Sequence, residues 1–208
     1  MATAAIAAAA LAVLSGPDAT ERRAACLPPG SRTLAATAGT RVYALRGRSS
    51  IEPLACLRRA GHAVELGDGY GSQGPFAISG DLVAFGERVC TDPSFGCLLE
   101  VQVYDVAAGG LRDASNADVD AYQAGAIGEI VLRRDGVAAW ITCDGVVYAR
   151  NGCPGRGLRS VVTFGRHSYG PRRLARGRIR SGSLRLSANG KRVSWIDGAT
   201  RRSATLEP

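Results

Sequence analysis

Six cysteines, Cys26, Cys56, Cys90, Cys97, Cys143 and Cys153, carry the most narrowly defined chemistry in this chain of 208 residues. Their number is even and none stands in a Cys-x-x-Cys pair, the spacing that zinc sites and redox centres use, so disulfides fit better than metal. Cys90 with Cys97 and Cys143 with Cys153 each bracket a short loop containing glycine, which leaves Cys26 to Cys56. Disulfides in turn point to an oxidising compartment. Nucleophilic catalysis has little to work with, because His62 and His167 are the only imidazoles and no Gly-x-Ser-x-Gly elbow surrounds a serine. Two histidines are also too few for a His-built metal centre.

Carboxylates offer two further arrangements. Asp113, Asn116, Asp118 and Asp120 put short oxygen-bearing side chains on one stretch, a spacing that could wrap calcium. It is not an EF-hand: counted from Asn116, Ala121 stands where the loop glycine belongs and Ile127 where the bidentate glutamate belongs. Asp81, Glu87, Glu129 and Asp135 are the candidates for a paired-carboxylate hydrolase of glycans. The stretch from Gly69 to Gly74, GYGSQG, satisfies the dinucleotide fingerprint in form only. Pro75 and a strand-like FAIS follow it, whereas pyrophosphate binding needs a helix to start inside the motif. No cofactor is implied.

The charge distribution is the feature with most functional content. The chain holds 26 basic and 18 acidic residues, a net +8, and Lys191 is its one lysine. From Gly145 to Ile196 there are twelve basic residues and no acidic one, while Glu100 to Asp144 holds eight acidic and three basic. Arg156, Arg159, Arg166, Arg172, Arg173, Arg176, Arg178 and Arg180 form an arginine stripe able to grip carboxylate or phosphate bidentately. A solvated face in an arginine-biased composition is the competing explanation. Nucleic acid is a poor partner outside the cell, and no recognition helix or base-stacking platform accompanies the stripe.

Elements that would position these residues are legible as a repeat. The eleven apolar residues from Ala4 to Leu14, followed by Ser15, Gly16 and Pro17, have the length of a signal-peptide core, so residues 1–19 read as a leader and 26–208 as one domain. No later apolar run is long enough to span a bilayer. Four segments read as strand, turn, strand: Thr33 to Leu45, Phe76 to Phe85, Ile130 to Ile141 and Leu184 to Asp197. In each, a glycine (Gly39, Gly80, Gly136, Gly190) precedes an aromatic (Tyr43, Phe85, Trp140, Trp195) by four or five positions. Asp135-Gly136 and Asn189-Gly190 suggest type I′ hairpin turns, with the aromatic filling the contact between sheets. Alternating strands such as Val101 to Val106 and Val161 to Phe164 follow, giving about four strands per repeat.

The segment LRLSANGKRVSWID resembles the repeat of TolB-type, WD40-like β-propellers at Leu186, Ser187, Gly190, Lys191, Arg192, Val193 and Trp195. That resemblance implies an all-β fold of about four antiparallel four-stranded repeats, small or incompletely closed, because the last repeat has room for only about three strands. A ring could borrow a strand from Cys26 to Thr33, or the sheets could stack in an open arc with a capped edge. No activity transfers with such a scaffold. The expectation is an extracytoplasmic, non-enzymatic binding or scaffold module contacting an envelope protein or an anionic cell-wall polymer. The alternative is a glycan-acting or other hydrolytic enzyme on the same fold.

Overall fold

The computed structural model describes residues 26–45, 53–67, 74–92, 96–118, 124–144, 153, 157–165 and 170–207. The apolar leader lies outside them. β1 (Ser31–Ala36), β2 (Thr40–Leu45), β3 (Leu54–Leu57) and β4 (His62–Glu65) form the first sheet. β5 (Phe76–Ser79), β6 (Leu82–Asp92), β7 (Gly96–Asp105) and β8 (Gly110–Asn116) form the second. β9 (Ala124–Leu132), β10 (Ala138–Asp144), β11 (Arg159–Phe164) and β12 (Arg172–Gly177) form the third. β13 (Arg185–Leu186), β14 (Arg192–Asp197) and β15 (Thr200–Thr205) make a three-stranded fourth. Every pairing joins sequence neighbours antiparallel, and no helix occurs among the described residues. The all-β expectation, with one repeat a strand short, is what the chain adopts.

Period-two alternation on the second strand of each sheet builds the core. Val42 of β2 packs with Val83 and Phe85 of β6 between the first and second sheets. Leu82 and Ala84, on the opposite face of β6, pack with Ala138 and Trp140 of β10 between the second and third. Ala139 and Ile141 then meet Val193 and Trp195 of β14 between the third and fourth. In the second, third and fourth sheets the repeat aromatic thus faces the preceding sheet, and Phe85, Trp140 and Trp195 are at most 4% exposed. The indole N–H of Trp140 also donates to Ala117 O at 2.7 Å, tying β10 to the exit of β8.

Among the described residues no sheet precedes that of Tyr43, and the Cys26–Cys56 disulfide takes its place in a small cluster completed by Leu45 and Leu54. Arg41, 3% exposed, lies with its guanidinium 5.0 Å from the Tyr43 ring centroid. The same guanidinium donates to Cys26 O, to Thr33 Oγ1 at 2.9 Å and to Ser31 Oγ at 3.2 Å. Burial raises the Tyr43 phenol pKa, with the Arg41 charge opposing. At the other end, the outer side of the fourth sheet presents Arg185, Arg192, Ser194, Arg201 and Ser203. Among the described residues no buried cluster joins the fourth sheet to the first. The sheets therefore form an open stack. Ser31–Ala36 belongs to the first sheet, so that region does not complete the fourth.

The hairpin turns differ from expectation. Among the described residues only glycines have a positive φ, so Asp135 and Asn189 cannot occupy type I′ positions, which need positive φ at both central residues. Instead, Gly136 (φ 96°) and Gly190 (φ 69°) follow the turn proper, donating to Arg133 O at 3.1 Å and Ser187 O at 2.8 Å. That is a type I turn with glycine in the position after it. The acidic or amide side chain stabilises it from within: Asp135 Oδ1 accepts from Val137 N at 3.4 Å and Asn189 Oδ1 from Lys191 N at 3.1 Å.

Candidate anion-binding cleft

β10 ends, and β11 begins, at the same edge of the third sheet where β12 ends, since Cys143 pairs with Arg159 and Arg159 with Gly177. The link from β12 to β13 leaves from that edge and is laced onto the end of β14. Arg180 N donates to Ile196 O at 2.9 Å, Gly198 N to Arg178 O at 3.0 Å, and Ile179 bridges Asp197. An extended segment puts alternate side chains on opposite sides. Ile179 points into the core at 1% exposure, and Arg178 and Arg180 both stand exposed on the other side.

A cleft opens there between the third and fourth sheets, lined by Arg159, Arg178 and Arg180 together with the apolar Leu158, Ile179 and Ile196. Leu158 is 48% exposed. Arg159 is buried and donates through Nη1 to Ile179 O, so it braces the link that displays the other two arginines. Asp197 Oδ1 accepts from the backbone N of Arg178 at 3.0 Å. No described carboxylate pairs with the Arg178 or Arg180 guanidinium. The chemistry available is two adjacent cationic forks over an apolar lining.

The expected arginine stripe is thus divided. Arg156 and Arg166 lie outside the described residues. Arg173 is an internal structural group, its Nη2 donating to Asp118 Oδ1 at 2.6 Å. Arg172 reaches Glu207 at 3.6 Å, and Arg176 is exposed on β12. Of the described stripe arginines, Arg178 and Arg180 are exposed and line the cleft. Spacing alone marks them as one face of an extended segment, but the cleft depends on where β14 ends, which no local pattern shows.

Asp118 is buried against Arg173, Asp113 and Asn116 belong to β8, and Asp120 lies outside the described residues. Among the described residues no group of three or more His, Cys, Asp or Glu could hold a metal. The four carboxylates proposed for hydrolysis have separate environments. Asp81 pairs with Arg59. Asp135 pairs with Arg133 at 2.5 Å, and that hydrogen bond holds its carboxyl below the usual range, the wrong direction for a general acid. Glu129 accepts from Leu184 N and from Arg185, both at 3.1 Å, and Glu87 is buried against Gly67. His62 opens β4 and is exposed, and His167 and most of GYGSQG lie outside the described residues.

Two of the expected disulfides are present, Cys26–Cys56 and Cys143–Cys153, each with Cα atoms 5.6 Å apart. Cys90 is disulfide-bonded as well. The side chain of Cys97 lies outside the described residues. Cys143–Cys153 spans the start of the loop whose far end, Gly157 to Arg159, lines the cleft.

No family model matches the chain, and no curated protein matches it. Among solved structures it is similar to a gluconolactonase from Xanthomonas campestris, with 16% identity, a TM-score of 0.45 and coverage of 81% of this chain. It is also similar to a prolyl endopeptidase, with 16% identity, a TM-score of 0.45 and coverage of 91% of this chain. The chain spans 58% and 32% of the lengths of those two proteins.

Proposed function

We propose that the protein is an extracytoplasmic, non-enzymatic binding module that holds an anionic polymer of the cell envelope in the cleft of Arg178 and Arg180. The observation that carries this reading is the pair of exposed guanidiniums on one side of a laced, extended segment, with apolar Leu158 and Ile196 beside them. Arginine forks recognise phosphate or carboxylate bidentately, and aliphatic side chains cover the carbon skeleton between charges. Extracytoplasmic residence is supported by the disulfides, which persist in oxidising compartments. The TolB-type repeat resemblance suits that compartment and supplies no chemistry. The ion pairs of Asp81, Asp135 and Glu129 favour binding over hydrolysis.

Retention on immobilised polyphosphate and on polygalacturonate tests the proposal. The double variant R178Q/R180Q should lose retention at 0.15 M salt. The charge-matched control R134Q/K191Q alters the exposed turns before β10 and β14 and should keep it. Equal loss in both variants would reduce the binding to net charge and overturn the assignment to this cleft.

A further inference from the structure

We infer that the outer edge of β15 is an acceptor for an acidic, extended segment of a partner protein, which adds as the fourth strand of the fourth sheet. Among the described residues the first three sheets each hold four strands in sequence order, and the fourth holds three with β15 on its rim. The register shows which groups wait there. Asp197 and Thr200 close the two-residue β14–β15 hairpin, so the ladder pairs alternate from them and Trp195–Arg202 and Val193–Ala204 share the inward hydrogen bonds. Arg201, Ser203 and Thr205 therefore turn their N–H and C=O groups away from β14. Thr205 O already serves an external donor, accepting from Arg172 Nη2 at 3.5 Å. Among the described residues β15 pairs with β14 alone.

Charge selects the occupant. β15 carries Arg201 and Arg202, both exposed, and Arg172 and Arg176 of β12 are exposed on the rim strand of the adjoining sheet. Glu207 is the acidic group nearby, 3.6 Å from Arg172. A second copy pairing edge to edge would put four arginines and no carboxylate of β15 into one strand pair, an unbalanced charge that disfavours it. The arginines thus guard the edge against self-pairing and admit a strand bearing Asp or Glu. Main-chain bonds would supply affinity and the charges selectivity, as in β-strand addition generally.

The test uses the full chain and a synthetic ten-residue peptide alternating Glu with Thr and Val, with a Lys-for-Glu peptide as control. Binding by fluorescence anisotropy should appear with the acidic peptide alone, and hydrogen exchange should slow at the amides of Arg201, Ser203 and Thr205. S203P removes an outward N–H, which proline permits on an edge strand. It should weaken the acidic peptide at least tenfold while leaving polyphosphate retention intact. Conversely, R178Q/R180Q should leave peptide binding intact, so this inference and the cleft stand or fall separately. Absence of binding, binding without amide protection at those three positions, undiminished binding by S203P, or dimerisation of the chain through β15 would each overturn the proposal.

Discussion

The Arg173 guanidinium on β12 donates to Asp118 at the exit of β8 over 2.6 Å, and Asp118 is 1% exposed. Removing Arg173 would leave a buried carboxylate without its cation, whereas Arg172 beside it pairs with Glu207 at the surface. R173Q should therefore cost about 3 kcal/mol, at the low end for a broken buried pair because Arg173 is partly exposed. R172Q should cost no more than about 1 kcal/mol. Urea midpoints of the two variants measure the contrast. Equal effects would show that the pair has no structural weight.

The two tryptophans occupy equivalent positions with unequal hydrogen bonding. Trp140 donates to Ala117 O, while Trp195 Nε1 is buried without a partner among the described residues. Replacement by Ala should cost about 3–5 kcal/mol at either position, from lost burial and the cavity left. Replacement by Phe should separate them, with W140F costing about 1 kcal/mol more than W195F because it strands a buried carbonyl. Thermal denaturation of the four variants decides the matter.

The repeat was legible because both of its signals are local: a glycine after a turn, and an aromatic at fixed distance on the next strand. Tyr43, Phe85, Trp140 and Trp195 all fall on the second strand of their sheets and are all buried. The turn type is not legible in sequence because Asp-Gly and Asn-Gly serve two hairpin geometries, and only φ at the first residue tells them apart. The stripe was legible as charge and not as a site. Arg159, Arg173 and Arg178 look alike in sequence, yet one braces a carbonyl, one neutralises a buried acid and one faces the cleft. Such fates depend on contacts between residues 20 to 55 positions apart in the chain.

The Cys26–Cys56 disulfide closes 30 residues and covers Tyr43, whereas Cys143–Cys153 closes 10. Loop-closure entropy gives about 3.6 kcal/mol for the first and about 2.7 kcal/mol for the second. C26S/C56S should lower stability more and expose the Tyr43 phenol to alkaline titration nearer its ordinary pKa. C143S/C153S should instead weaken polyphosphate binding, by releasing the loop that ends at Gly157. Ultraviolet titration and retention assays read these outcomes.

The Arg133 hydrogen bond lowers the Asp135 pKa in the folded protein. Its contribution is complete above the unfolded carboxylate value of about 3.9 and disappears as pH falls through the lower folded value. The pair is partly exposed, so D135N should cost at most about 1 kcal/mol at neutral pH. That difference from the parent protein should shrink below about pH 4. A pH series of denaturation midpoints checks the sign, and a difference that grew on acidification would contradict it.

The most direct test of the cleft is the salt dependence of polyphosphate affinity in the parent protein and in R178Q/R180Q. Each cationic contact to a polyanion releases condensed counterion and adds about 0.7 to 0.9 to the slope of log affinity against log salt. If Arg178 and Arg180 both grip the polymer, the double variant should bind more weakly with a slope shallower by about 1.5. An unchanged slope, at whatever affinity, would mean that the polymer does not meet these two guanidiniums.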